Sequence, residues 1–151
     1  MPSTVRVFDV DPLVSVLLDA PGAKKIAAAL DADLTMCHIS AVTYSRVIER
    51  VARESASSAG DVASVIDWWI AGGLTIDSVD VELASAAAAI RAEHYDRDTN
   101  PISLVDCHAM ALATAHNAEL AASDPAVMRV AKSLGLEVLA LPGQSGKLAK
   151  A

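Results

Sequence analysis

"SLVDCHAMALATAHNAELAASDPAVMRVAKSLGLEVLAL", residues 103–141, holds two helix–strand units in succession. Residues 103–117 open with a serine three positions ahead of an aspartate, a spacing that resembles the box in which hydroxyl and acid cap a helix start. The apolar run 118–122 has strand length. Asp124-Pro125 then starts a second helix, since proline at the first helical position gives up an N–H that has no helical partner there. That helix runs over 125–134 and stops at Gly135, in the usual helix-ending position. "LEVLAL" at 136–141 supplies the next strand.

The same rhythm extends back to the start of the chain. Strands are expected over 5–10, over 35–39 ("TMCHI") and, most weakly, over 74–79. Helices fill the gaps at 12–19, 22–30, 41–54, 61–71 and 80–94. Strands joined by helices imply the α/β class, here one domain with a central, mostly parallel five-stranded sheet flanked by helices. "SASSAG" at 55–60 and "YDRDTNP" at 95–101 are polar loops too short to divide it, and there is no internal repeat. The domain is assigned to residues 1–142, with 143–151 a flexible C-terminal tail.

At 151 residues the chain can bury roughly 70% of the surface its unfolded form exposes, enough for one core. With 53% apolar but only 3% aromatic residues, alanine, valine and leucine must fill that core by close helix approach. No run approaches the roughly 18 apolar residues of a membrane span, and "MPSTVRVFDV" lacks a charged start followed by an apolar signal core. A cytoplasmic location and no membrane partner are expected. Cys37 and Cys107 lie far apart without C-x-x-C spacing, which argues against zinc and disulfides and for buried thiols. The net charge of -7 repels nucleic acid at long range, so any RNA reading must overcome that objection.

Parallel sheets bind ligands beyond the carboxyl ends of their strands. Asp9 ends the first strand, Asp11 shares its side if the chain is still extended there, Asp106 sits in the first turn of a helix, and Asp124 follows the fourth strand. Three segments therefore deliver carboxylates to one edge. Each of Asp11, Asp106 and Asp124 also has a plainer explanation as a helix cap. Asp9 has none, because a carboxylate at the end of a buried strand is costly unless a cation compensates it.

The order "VFDVDPLVSVLLDAPGAKKIAAAL", "ISAVTYSRVIERV", then "RAEHYDRDTNPISLVDCHAMALATAHNAELAASDPAVMRVAKSLGLEVLAL" resembles a PIN domain of the VapC toxin type over nearly the whole chain. The resemblance implies a five-stranded parallel sheet, an acidic cluster binding Mg2+ or Mn2+, cleavage of RNA by metal-activated water, a VapB-like antitoxin partner and a homodimer or larger toxin–antitoxin assembly. Asp9, Asp106 and Asp124 match the family's first, third and fourth acidic positions and are the implied catalytic metal ligands. Hard divalent cations prefer such oxygen ligands.

One position departs from the pattern. Where the family carries a glutamate in the helix after the second strand, "VTYSRV" puts Arg46, a permanent cation expected to pair with the aspartates and compete with the metal. Glu49, one turn on, is a substitute candidate ligand, and Asp11 another source of the lost negative charge. Arg46, Arg50 and Arg53 form a stripe that either guides phosphates or is a solvated face. Thr43 and Ser123 are candidates to hydrogen-bond a metal-bound water. His38, His108 and His116 lack helical zinc-pair spacing and read as packing or surface residues. Trp68 and Trp69 either anchor a partner or plug the core.

Three functions follow. The resemblance favours an active metal-dependent ribonuclease toxin. Arg46 motivates the alternative of a degenerate PIN domain with a weakened or lost metal site, acting through partner binding. "VFDVDPL" also resembles the D-x-D strand end of haloacid-dehalogenase-type phosphatases, but no downstream lysine and paired-acid motif supports that.

Overall fold

The computed structural model describes residues 4–148. Met1–Ser3, from the stretch read for a leader, and residues 149–151 of the expected tail lie outside the described residues. Strands β1 (Arg6–Phe8), β2 (Cys37–Ser40), β3 (Thr75–Asp77), β4 (Glu119–Ala122) and β5 (Val138–Ala140) form one sheet in the order β3-β2-β1-β4-β5. Every pairing is parallel, with Val7 opposite His38 on one side and Leu120 on the other. The helices are α1 (Val10–Leu17), α2 (Ala23–Asp31), α3 (Ala41–Glu54), α4 (Ala59–Ala71), α5 (Val81–His94), α6 (Leu104–Ala115) and α7 (Pro125–Ser133). Among these described residues no helix is long and apolar enough to cross a membrane.

The expected α/β class and parallel sheet are present, with strands shorter than the apolar runs that contain them. The consequential difference is at the first junction. Helix α1 starts at Val10 rather than Pro12, so Asp9 takes the N-cap position and Asp11 lies inside the first turn instead of capping it. Proline supports any position of a first turn, where N–H groups have no helical partner, so Pro12 does not fix the start to itself.

From β1 the chain steps outward to β2 and β3, then crosses back to β4 and β5 on the other side. Crossovers of one hand then place the helices on opposite faces of the sheet. Phe8 and Ile39 point to the face where Leu13, Ile26, Leu30, Val47 and Ile66 pack. Val7 and Leu120 point the other way, toward Met110, Met128 and a layer of alanines that includes Ala87, Ala109, Ala113 and Ala131. The alanine packing expected from composition is concentrated on this second face, where α6 lies close against the sheet. Cys37 and Cys107 are free and buried, and burial pushes their thiols up to about 11 and about 12. Gly135, with φ 82°, follows α7 in the left-handed conformation that glycine takes without steric cost. Beyond Pro142, Gly143 N–H donates to Lys147 O at 3.0 Å, and Gly146 approaches Pro21.

Candidate metal centre

The two neighbours of β1 are reached by connections running in opposite directions, and the carboxyl end between them is the switch point where open α/β sheets hold ligands. Asp9 is the residue there. Its N–H donates to Ala121 O at 3.0 Å, carrying the parallel ladder one residue past β1. Alternation places its side chain on the face of Val7, beneath α6. Asp9 is only 1% exposed, and its Oδ1 has no hydrogen-bond partner. Such a buried, unsatisfied oxygen costs on the order of 1–3 kcal/mol.

Asp106 meets it from α6. Ser103 N–H donates to Asp106 Oδ2 at 2.8 Å and Asp106 N–H donates to Ser103 Oγ at 3.0 Å, a full capping box. The same carboxyl is close enough to that of Asp9 for their charges to act on one another, so Asp106 is at once a cap and a member of the acid pair. Burial, reinforced by the neighbouring Asp106 charge, pushes Asp9 well above the ordinary carboxylate range. Burial also raises Asp106, against the lowering effect of Asp9 and of its hydrogen bonds with Ser103. Two neighbouring carboxyls, one of them fully buried, share a proton more readily than they both ionise.

Asp106, though not Asp9, also lines a cavity of about 180 Å³, together with Val10, Asp11, Arg46, Arg50, Ser103 and Asp124. Asp124 caps α7, its Oδ1 accepting from Ala126 N–H at 2.8 Å. The adjoining hollow is lined by Asp11, Arg50, Ser123 and Asp124, with Gly143 and Gln144 closing it. Asp106 and Asp124 are therefore both caps and candidate ligands, because α6 and α7 begin at this edge, while Asp9 holds the N-cap position of α1 without a side-chain capping bond.

An oxygen-only donor set with an orphaned buried oxygen and more negative charge than adjacent cations suits a hard divalent ion such as Mg2+ or Mn2+. The family model of the PIN domain matches residues 7–133. The chain belongs to the PIN domain family. No curated protein matches it by sequence. Among solved structures, FitAcB from Neisseria gonorrhoeae is similar to this PIN domain at 22% identity and TM-score 0.62, over 89% of this chain and 96% of that one. VapBC2 from Rickettsia felis, bound to a DNA fragment from its promoter, is similar at 16% identity and TM-score 0.60 over 89% and 96%. A toxin-antitoxin complex from Klebsiella pneumoniae is similar at 20% identity and TM-score 0.58 over 79% and 86%. These likenesses are of fold.

The arginines of this PIN domain sit differently from the sequence expectation. Arg46 lines the cavity, but its Nη1 donates to Glu49, the acid one turn along its own helix. Arg50 is the one that binds an aspartate of the site, donating to Asp11 Oδ1 at 2.7 Å. Glu49 is not brought to the cluster. Its carboxylate also accepts from Arg53 Nε at 2.8 Å, and it faces a separate groove with Tyr44 and Ile48. Those arginines hold Glu49 below the ordinary carboxylate range. Arg53 is exposed and does not line the cavity.

Thr43 is buried with its hydroxyl accepting from Ser40 Oγ at 3.1 Å, which completes the cap of α3 and turns it from the cavity. Ser123 donates to Pro142 O at 3.1 Å and reaches only the adjoining hollow. The tryptophans divide: Trp69 packs against the core while Trp68 is 79% exposed on α4. The capping box read from Ser103 and Asp106 is present, with Ser103 N–H orienting Asp106, whereas the pairing of Arg50 with Asp11 from 39 residues away has no local signal in the sequence.

Proposed function

We propose that this PIN domain is a VapC-like toxin: an endoribonuclease dependent on Mg2+ or Mn2+ that hydrolyses RNA phosphodiester bonds and is neutralised by a VapB-like antitoxin. The observation that carries the reading is the buried Asp9 carboxyl, one oxygen unpartnered, next to Asp106, which lines an acid-walled cavity. Asp9, Asp106 and Asp124 would hold the ion, with Asp11 adding negative charge at the rim. The ion, when bound, supplies an acidified water and neutralises charge on the phosphate.

The chain's own groups do the rest. Ser103 N–H holds one oxygen of Asp106, and Ala126 N–H one of Asp124, so both acids are oriented before the ion arrives. Arg50, tied to Asp11, and Arg46, tied to Glu49, place guanidinium groups on the cavity wall where a phosphate would lie. This local pair answers the objection raised by the net charge of -7: attraction is confined to the cavity. Exposed Trp68 offers an aromatic anchor for the antitoxin or for a second copy in a homodimer. Fold likeness to solved toxin–antitoxin assemblies supports the antitoxin partner, and a cytoplasmic site of action goes with an RNA substrate.

The test is cleavage of a mixed RNA pool with Mg2+ or Mn2+, beside manganese calorimetry. Asp9→Asn and Asp124→Asn are expected to lose most manganese binding and to slow cleavage about 100-fold or more, a size set by loss of charge stabilisation at a reacting phosphate. Cleavage that survives a chelator, or that Asp9→Asn leaves intact, would refute the proposal.

A further inference from the structure

Away from the acid cluster, three side chains from three elements converge near the edge of the sheet. His38 comes from β2, Asp77 is the last residue of β3, and His116 follows the end of α6. His38 Nδ1 lies 2.7 Å from Asp77 Oδ2 and His116 Nε2 3.3 Å from Asp77 Oδ1. The two imidazole rings stand 4.4 Å apart between centroids, and one ligand atom from each residue lies within 4.8 Å of the other two. We infer that His38, Asp77 and His116 form a second metal site, for a borderline transition ion such as Zn2+, distinct from the acid cluster in both place and chemistry.

Donor type separates the two centres. The acid cluster offers oxygen only, the set for Mg2+ or Mn2+, while two imidazoles and a carboxylate favour Zn2+, Co2+ or Ni2+. The geometry is close to that required. Ligand atoms at about 2.0–2.1 Å from a tetrahedral zinc stand roughly 3.3–3.4 Å from one another. The two contacts run to different oxygens of Asp77, His116 Nε2 to Oδ1 at 3.3 Å and His38 Nδ1 to Oδ2 at 2.7 Å, and with one atom per residue all three lie within 4.8 Å, so small side-chain rotations must bring them to that spacing. A neutral imidazole presents either an N–H or a lone pair at a given nitrogen, so a tautomer change converts a hydrogen-bonded triad into a chelate without net loss of protons.

The surroundings suit an ion that exchanges with solvent. The three side chains are 17%, 22% and 32% exposed for His38, Asp77 and His116, which leaves a fourth position for water. Asp77 opens onto a groove whose wall also carries Asp80 and Glu82, raising the local cation concentration. Mechanically, β3 is a three-residue edge strand paired only with β2, and an ion held by His116 ties that strand to the end of α6. Asp106 lies ten residues earlier on α6, about 15 Å along the axis, so neither centre shares a ligand with the other.

The experiment uses the full chain free of any histidine tag, with excess Mg2+ present to fill the acid cluster. Co2+ is titrated while the visible bands of a tetrahedral ion are followed, and Zn2+ is then added to displace it. One equivalent of Co2+ is expected in the parent and in Asp106→Asn, with affinity about 100-fold weaker or worse in His116→Asn. X-ray absorption of the Zn2+-loaded parent, which needs no variant to fold, should show two imidazole ligands. The inference is overturned by a parent that takes up no Co2+ under excess Mg2+, by binding lost in Asp106→Asn and kept in His116→Asn, or by an all-oxygen zinc environment.

Discussion

Asp9→Asn turns the acid pair into a measurable quantity. In the metal-free protein the buried Asp9 carboxyl is raised well above its ordinary value of 3.8, first by burial and then by Asp106. Between that ordinary value and the raised one, the folded state holds a proton that the unfolded chain has released. The unfolded state therefore binds fewer protons in this window, and stability falls as pH rises, by about 1.4 kcal/mol per pH unit for one proton. Below the ordinary carboxylate range both states are protonated and the loss vanishes. An asparagine copies the protonated acid, since its amide offers a donor beside Asp106 as the carboxyl proton does, and it does not titrate. The difference between variant and parent cancels groups remote from the pair, while Asp106, coupled to Asp9, titrates differently in the two proteins and contributes to it.

In a domain of this size about 1.4 kcal/mol corresponds to roughly 3–6 °C in melting temperature. Metal-free Asp9→Asn should melt with the parent near pH 4 and gain on it by about that amount per pH unit until the raised value is passed. Added Mn2+ should reverse the order, because it stabilises only the form that binds it. Thermal melts from pH 4 to 8, with chelator and with Mn2+, provide the measurement. A variant that melts below the chelated parent at pH 8, or a gap that does not change with pH, would show that Asp9 is not held protonated against Asp106 and would remove the cation argument.

Two further outcomes follow from the same geometry. Arg46→Glu removes a cation from the cavity wall and adds a carboxylate there, so calorimetry should show Mn2+ bound about 10-fold or more tightly at matched ionic strength; equal or weaker binding places Arg46 outside the ion's field. Trp68→Ala, at an exposed position, should leave the melting temperature within about 1–2 °C of the parent yet weaken antitoxin or self-association by about 2 kcal/mol, read by titration or sedimentation; unchanged association assigns the partner surface elsewhere.

Much of this fold is local chemistry written along the chain. Alternating short apolar runs and capped helices gave the class, the parallel sheet and the positions of α3, α6 and α7, because periodicity, Ser103, Pro125 and Gly135 each act over a few residues. The first junction was less legible. Pro12 is compatible with every position of a first turn, so the local signal did not decide whether Asp9 or Asp11 would cap α1. Arg46 misled for a different reason: its charge was plain in the sequence, but it pairs with Glu49 one turn along the same helix.

What the sequence by itself determined is which residues end strands and begin helices, and hence that Asp9, Asp106 and Asp124 stand at one edge of a parallel sheet. Tertiary structure alone decided how they are used. Burial at the switch point presses Asp9 against Asp106 and leaves an oxygen unpartnered, and packing brings Arg50 to Asp11. The same holds for His38, Asp77 and His116, each unremarkable in its own segment and 39 residues from the next. Spacing rules for ligands on one helix do not reach such a set, because its geometry is fixed by strand order and by where α6 ends over the sheet.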